Sequence, residues 1–135
     1  MPVTELRVAL TTEDYERVVA FYRDGLGLDP AALWTNDEGG RGLMFHAGRA
    51  ALEVFDPSYA ASVDDIEVGR RVSGQIRFCF EVSDIHTAVA RAVKYGAVLE
   101  HEPMLTPWND LNARLRSPDG LQVTLFQPLQ ADQKG

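Results

Sequence analysis

The chain carries one pattern twice, and a tandem repeat of this kind leaves few ways to fold. The first copy opens on Arg7-Val8-Ala9-Leu10, passes Asp14, runs from Tyr15 to Arg23 and stops at Gly25-Leu26-Gly27-Leu28. The second opens on Gln75-Ile76-Arg77-Phe78-Cys79-Phe80, passes Asp84, runs from Ile85 to Tyr95 and stops at Gly96. In each copy an alternating, strand-like stretch leads into a segment with an apolar stripe at helical spacing, and more strand-like segments follow. Two matched strand-helix-strands units bury their apolar faces by building one curved surface from two halves. The chemistry of such a chain belongs on the inner face of its strands.

Leu6, Val8 and Leu10 share one face of the first strand, and Arg7 and Ala9 the other. Thr11-Thr12-Glu13-Asp14 supplies helix caps and acidic first-turn charges. Tyr15, Val18, Val19, Tyr22 and Leu26 form the first helical stripe. Strands are expected at 31–36, 42–46 and 50–55, although Ala31, Ala32 and Leu33 also suit a helix. In the second copy Ile76, Phe78, Phe80 and Val82 face one way, while Gln75, Arg77, Cys79 and Glu81 face the other. Ile85, Val89, Ala92 and Val93 form its helical stripe, and strands follow at 98–102, 112–116 and 121–127. Ser117-Pro118-Asp119-Gly120 reads as a tight hairpin turn. Residues 56–73 show no periodicity: Asp56-Pro57 ends a strand, and Ser62 to Arg71 mixes acidic, small and basic residues. The expected organisation is an α+β chain with a module over 1–56, an exposed connection over 57–73, a module over 74–128 and a polar tail over 129–135.

No apolar run approaches the roughly 20 residues that span a bilayer, and no basic-then-apolar leader opens the sequence, so no membrane partner and a cytoplasmic location are expected. Cys79 is the sole cysteine, which excludes an intrachain disulfide. A net charge of −7 argues against a nucleic-acid partner, whose phosphates need a basic face. It suits a cationic or neutral small molecule, though such a charge more often serves solubility.

The tandem modules, the stretch Ala20-Phe21-Tyr22-Arg23-Asp24-Gly25-Leu26-Gly27-Leu28 and the late Ser117-Pro118-Asp119-Gly120 turn resemble the vicinal oxygen chelate superfamily. Its members include glyoxalase I, fosfomycin-resistance enzymes, extradiol dioxygenases, methylmalonyl-CoA epimerase and the bleomycin-resistance proteins. The resemblance covers about residues 5 to 127 and implies two βαβββ modules, curled around a central cleft, in a homodimer. It also implies that metal-using members hold their ion with His, Glu or Gln on the inner faces of the first and last strands of each module. Those positions correspond here to Arg7, Glu53, Gln75 and Thr124. Glu53 is a strong ligand, Gln75 an acceptable one and Thr124 a poor one. A guanidinium at Arg7 repels a cation by several kcal/mol at about 4 Å and an effective dielectric near 20. No metal and no other cofactor are expected.

Arg7 is instead expected to stand in for the missing cation by pairing with Glu53, the alternative being an Arg7 that snorkels to solvent. Ala51, Phe55, Arg77, Cys79, Gln122 and Phe126 are the other inward candidates by alternation. Trp34 and Trp108 add flat apolar surfaces, and Pro107-Trp108 is similar to the bleomycin-resistance branch, where an aromatic flanks a drug-binding groove. The histidines give no catalytic arrangement: His101-Glu102-Pro103 has no second His four residues on, His86 reads as exposed and His46 as a packing or surface residue. Cys79 reads as inert filling. The expected function is metal-independent binding of a small organic molecule, in the sense of sequestering a planar or cationic compound, with no catalytic residue assigned. The alternatives are a metal-dependent glyoxalase-like lyase or isomerase or a ring-cleaving dioxygenase, its ion held by Glu53 with a residue such as His46, and a non-catalytic interaction module.

Overall fold

The computed structural model describes residues 3–129. The first module comprises β1 (Val3–Thr11), α1 (Tyr15–Ala20) running into a π-helical turn (Phe21–Gly25), β2 (Asp29–Thr35), β3 (Arg41–Ala47) and β4 (Ala50–Phe55). Helix α2 (Pro57–Glu67) follows, and the second module comprises β5 (Ile76–Val82), α3 (Ile85–Lys94), β6 (Val98–Leu105), β7 (Asp110–Arg116) and β8 (Gln122–Pro128). Both βαβββ modules expected from the repeat are present. The segment at 29–35, for which a helix was the competing reading, is a strand. The polar tail read from the sequence lies outside the described residues from position 130 on.

All eight strands join one sheet in the order β2-β3-β4-β1-β5-β8-β7-β6. The modules meet where β1 pairs antiparallel with β5, and each of these strands pairs in parallel with the last strand of its own module. Helix α2 packs against β3 and β4 on one side and β7 on the other. β4 and β7 stand four places apart in the sheet, about 19 Å in a flat one at roughly 4.8 Å per strand. A helix only about 10 Å across reaches both only if the sheet curls around it. The sheet is therefore curled and α2 lies inside the curl.

Alternation distributes the cores accordingly. Tyr15 and Val19 of α1 pack with Leu43, Phe45 and Val54 outside the first half of the sheet. Ile85 and Val89 of α3 pack with Val82, Ala113, Leu115 and Leu125 outside the second half. The inner face carries a third cluster of Ala9, Phe55, Cys79 and Phe126 with Ala60 of α2. Leu26 does not complete the α1 stripe and is 58% exposed. The π-turn before it adds a residue per turn, which rotates the chain off the stripe.

The connection is where sequence and structure part. Residues 57–67 are a helix with Ala60, Val63, Asp64 and Glu67 buried, not an exposed linker. Asp56 caps it by accepting the Tyr59 amide hydrogen, and Pro57 occupies its first turn, where a missing N–H costs nothing. Asn36 pins its start by donating to Ser58 and Ser62. At Gly42 a Cβ would lie 2.7 Å from the Phe55 ring, so glycine allows the helix and this wall to approach.

Candidate functional site

The inner face of the sheet and α2 enclose a cavity of about 210 Å³. Of the residues singled out in the sequence, Arg7, Trp34, Glu53, Phe55, Arg77, Trp108, Thr124 and Phe126 line it. Cys79 lines it too, as alternation along β5 predicts. Gln75 does not: it is exposed just ahead of β5. Gln122 is buried on the inner side but is spent elsewhere, accepting from Arg114 and donating to Glu100. His46 and His86 are exposed.

The strand register corrects the correspondence between the modules. Arg7 pairs with Cys79 and Ala9 with Arg77 across the β1–β5 seam, and the helix N-caps Asp14 and Asp84 stand 70 positions apart, so the relation that exchanges the modules exchanges Arg7 with Arg77 and Ala9 with Cys79. Ala9 pairs with Glu53 and Cys79 with Thr124 on the outer neighbours, which makes Thr124 the counterpart of Glu53. The counterpart of Arg7 is thus Arg77, two residues beyond Gln75. The two halves present two guanidiniums, one carboxylate and one hydroxyl to the same space.

Arg7 does point inward. Its guanidinium lies 5.0 Å from the centre of the Phe126 ring and its Nη1 is 3.5 Å from Glu53 Oε2. The shorter bond, 2.5 Å from Nε, goes to Glu5 beside it on β1. Arg7 therefore bridges Glu53 to the rim and is not dedicated to it. Burial pushes the Glu53 carboxyl above its ordinary range, against the attraction of Arg77 and Arg7.

Arg77 is buried, and its Nη1 donates to Cys79 Sγ at 2.9 Å and to Thr124 Oγ1 at 2.8 Å. Burial works against its charge, but the fields of Cys79, Glu67, Glu53 and Asp64 more than restore it, and it stays a cation. Burial pushes the Cys79 thiol up to about 12 despite Arg77, so it is not a thiolate nucleophile near neutrality.

Helix α2 contributes what the sequence reading missed: Tyr59, Val63 and Glu67 line the cavity. Trp34 and Tyr59 stack at 16° with centroids 6.2 Å apart, and Phe55 lies 5.1 Å from Tyr59, making one aromatic wall. Trp108 stands at the rim, 42% exposed, on a turn closed by the Asn109 amide to the Thr106 carbonyl and by the Thr106 amide to the Asp110 carbonyl. The turn needs a positive φ at Asn109, a residue type that tolerates it.

Beneath the cavity, α2 is bolted to the second module by charge. Arg114 is fully buried and donates Nε and Nη2 to Glu67 Oε1 and Nη1 to Asp64 Oδ1 at 2.8 Å. Thr124 Oγ1 also donates to Glu67 Oε1, and Asn112 Nδ2 donates to Glu67 Oε2. Asp64 further accepts from Arg71, Ser73 and the Val72 amide. Burial alone would raise its carboxyl, but the hydrogen bonds from Ser73, Arg114 and Val72 prevail and hold it at about 2. The signal that could have found this helix was Asp56-Pro57, a cap followed by a first-turn proline. The Asn112 and Arg114 that donate to Glu67 lie some 45 positions away and leave no local trace.

Among the described residues no three His, Cys, Asp or Glu side chains gather into a group able to hold a metal ion. No helix among them is long and apolar enough to cross a membrane.

The sequence model of the Glyoxalase/Bleomycin resistance protein/Dioxygenase superfamily matches residues 6–125. Among curated proteins none matches the sequence. Solved structures share the fold. Methylmalonyl-CoA epimerase from Mycobacterium tuberculosis superposes with a TM-score of 0.71 at 19% identity, over 99% of this chain and 94% of its own. A superfamily member from Vibrio splendidus 12B01 gives 0.64 at 14% identity, over 91% and 97%. A hypothetical protein from Bacillus halodurans C-125 gives 0.68 at 14% identity, over 92% and 93%.

Proposed function

We propose that this chain, which belongs to the Glyoxalase/Bleomycin resistance protein/Dioxygenase superfamily, binds a small planar organic molecule in its inner cavity without a metal ion. The observation that carries the reading is the pair Arg7 and Arg77 at equivalent positions of the two modules. These, with Glu53 and Thr124, are the places where the family resemblance puts metal ligands once the register is applied. Two guanidiniums, which accept nothing and repel cations, leave one carboxylate and one hydroxyl, and that donor set does not fit a divalent ion. The aromatic wall of Trp34, Phe55 and Tyr59 facing the rim Trp108 supports a flat guest.

Elemental analysis of protein purified without chelator, combined with titration of planar compounds followed by Trp fluorescence, tests this. The reading expects substoichiometric metal and a saturable fluorescence change that survives chelator. A full complement of a divalent ion that chelator removes together with binding overturns it. One rival keeps a specific observation in its favour: the buried, raised carboxyl of Glu53 is placed as a general base could be, and methylmalonyl-CoA epimerases share the fold. Exchange of a carbon-bound proton into solvent, abolished by Glu53→Gln, would establish that enzyme. The same reading makes the chain a homodimer, with Leu33 and Leu105 on the edge strands β2 and β6 as apolar surface to cover. Light scattering that returns a monomer removes that part.

A further inference from the structure

Two cavity-lining groups are left unsatisfied when the hydrogen bonds of the site are accounted for. The first is Arg77. Both of its hydrogen bonds among the described residues leave from Nη1, and they go to a thiol and a hydroxyl, not to a carboxylate. Among the described residues Nε and Nη2 make no hydrogen bond, on a guanidinium held in place by Thr124 and lying 6.0 Å from the centre of the Phe55 ring. Glu53, Glu67 and Asp110 share the cavity lining with it, and the first two are committed. Glu67 accepts three donors on Oε1 and one on Oε2, while Glu53 faces Arg7. The surrounding carboxylates sustain its charge but leave that edge without an acceptor, and what fits such an edge best is a planar anion gripped by two parallel N–H bonds.

The second group is Asn112. Its Nδ2 donates to Glu67 Oε2, which fixes the amide orientation because the flipped carbonyl would face that carboxylate. Its Oδ1 is buried with no partner. The cavity thus offers an unused two-donor edge on β5 beside an aromatic wall, with the unpartnered Asn112 Oδ1 buried behind its lining. About 210 Å³ is somewhat more than the roughly 150 Å³ cavity that admits benzene, enough for one substituted ring or a small fused pair.

We propose that the guest is an aromatic carboxylate, its carboxylate received by Arg77. The proposal rests on reading the cavity as a ligand site and replaces the planar-or-cationic alternative with a planar anion. Benzoate, benzamide and benzamidinium have one shape and three charges, so they separate charge preference from mere occupancy. Ligand-observed NMR on the wild-type chain at millimolar concentrations should rank benzoate about tenfold or more above benzamidinium, a gap of about 1.4 kcal/mol. 2-Hydroxybenzoate, which keeps the ring and the carboxylate, should likewise rank above benzamidinium. Arg77→Lys keeps the charge but loses the fork, and should reduce the benzoate preference severalfold with the circular dichroism spectrum unchanged. Benzamidinium or benzamide binding as tightly as benzoate overturns the anion proposal and leaves the cavity reading standing. A benzoate preference untouched by a folded Arg77→Lys overturns it equally. Should that variant not fold, the ranking on the wild-type chain decides alone. Absence of binding by all four compounds overturns the cavity reading and this proposal together.

Discussion

Arg114→Met should cost this protein a large part of its stability. The side chain is fully buried, and its guanidinium reaches Asp64 at 2.8 Å and Glu67 at 2.9 Å. Each carboxylate at a charge separation of about 4 Å and an effective dielectric near 20 attracts it by about 4 kcal/mol. Desolvation of three buried ions opposes this by several kcal/mol each, so the intact network stabilises the fold little on balance. Removing only the cation is different, because Met fills much of the volume but strands Glu67 beside Thr124 and Asn112 and strips Asp64 of its buried partner. The expected loss is about 3–5 kcal/mol, a large share of the 5–15 kcal/mol of a typical domain. Urea denaturation followed by fluorescence of Trp34 and Trp108 should show the midpoint falling by about 2 M, at an m-value near 2 kcal/mol/M. Glu67→Gln in the same background should recover part of it, since one orphaned charge disappears and Asn112 can turn its unpartnered Oδ1 toward the new amide. A single variant that loses under about 1 kcal/mol, or a double whose cost is the sum of the singles, refutes the reasoning.

Three further outcomes follow from the same geometry. Arg7→Ala should destabilise the fold more than Arg7→Ala combined with Glu53→Gln, as the 3.5 Å contact requires, but because Arg7 is partly exposed and leans on Glu5 the difference should be about 1 kcal/mol, read from chemical denaturation; equal stabilities sink the pairing. Asp64 is held at about 2, below its ordinary value, so its contribution of at most about 2.5 kcal/mol is complete above about pH 5 and is lost as pH falls through 2; the acid limb of a Tm-against-pH curve should lose that slope in Asp64→Asn. Glu53 is raised, so it takes up a proton above its ordinary titration range, and benzoate affinity should increase as pH falls through that range and lose this dependence in Glu53→Gln; the charged or titratable groups facing it are Arg7 of β1, Arg77 and Cys79 of β5, and Tyr59 and Glu67 of α2, and a flat pH profile for both proteins would count against Glu53 as the coupled group.

What could be read from the sequence was whatever local physics enforces. The alternation of Arg77, Phe78, Cys79 and Phe80 turns Arg77 and Cys79 into the cavity and Phe80, with Val82 beyond it, toward the core of α3, because a one-residue slip would exchange the two faces. The α3 start at Asp84, whose carboxylate accepts from the Thr87 amide and hydroxyl, is equally local. Helix α2 is not legible because its buried face is polar: Asp64 and Glu67 occupy positions where periodicity looks for Leu or Val, and they tolerate burial because Arg114 comes from the other module and, for Asp64, because Arg71, Val72 and Ser73 close on it. Gln75 was favoured over Arg77 for a related reason. The first polar residue of the repeat looked like the counterpart of Arg7, whereas the seam of β1 with β5 fixes the correspondence through hydrogen bonds between residues some 70 positions apart. These two misreadings concern the same thing, the meeting of the halves. A duplicated module repeats its local signals faithfully, but the space between the copies is made of cross-contacts that neither copy encodes. In this chain that space holds α2, Arg114 and Asn112, and only there does Arg77, which alternation already turns inward, meet Thr124 and the field of Glu67.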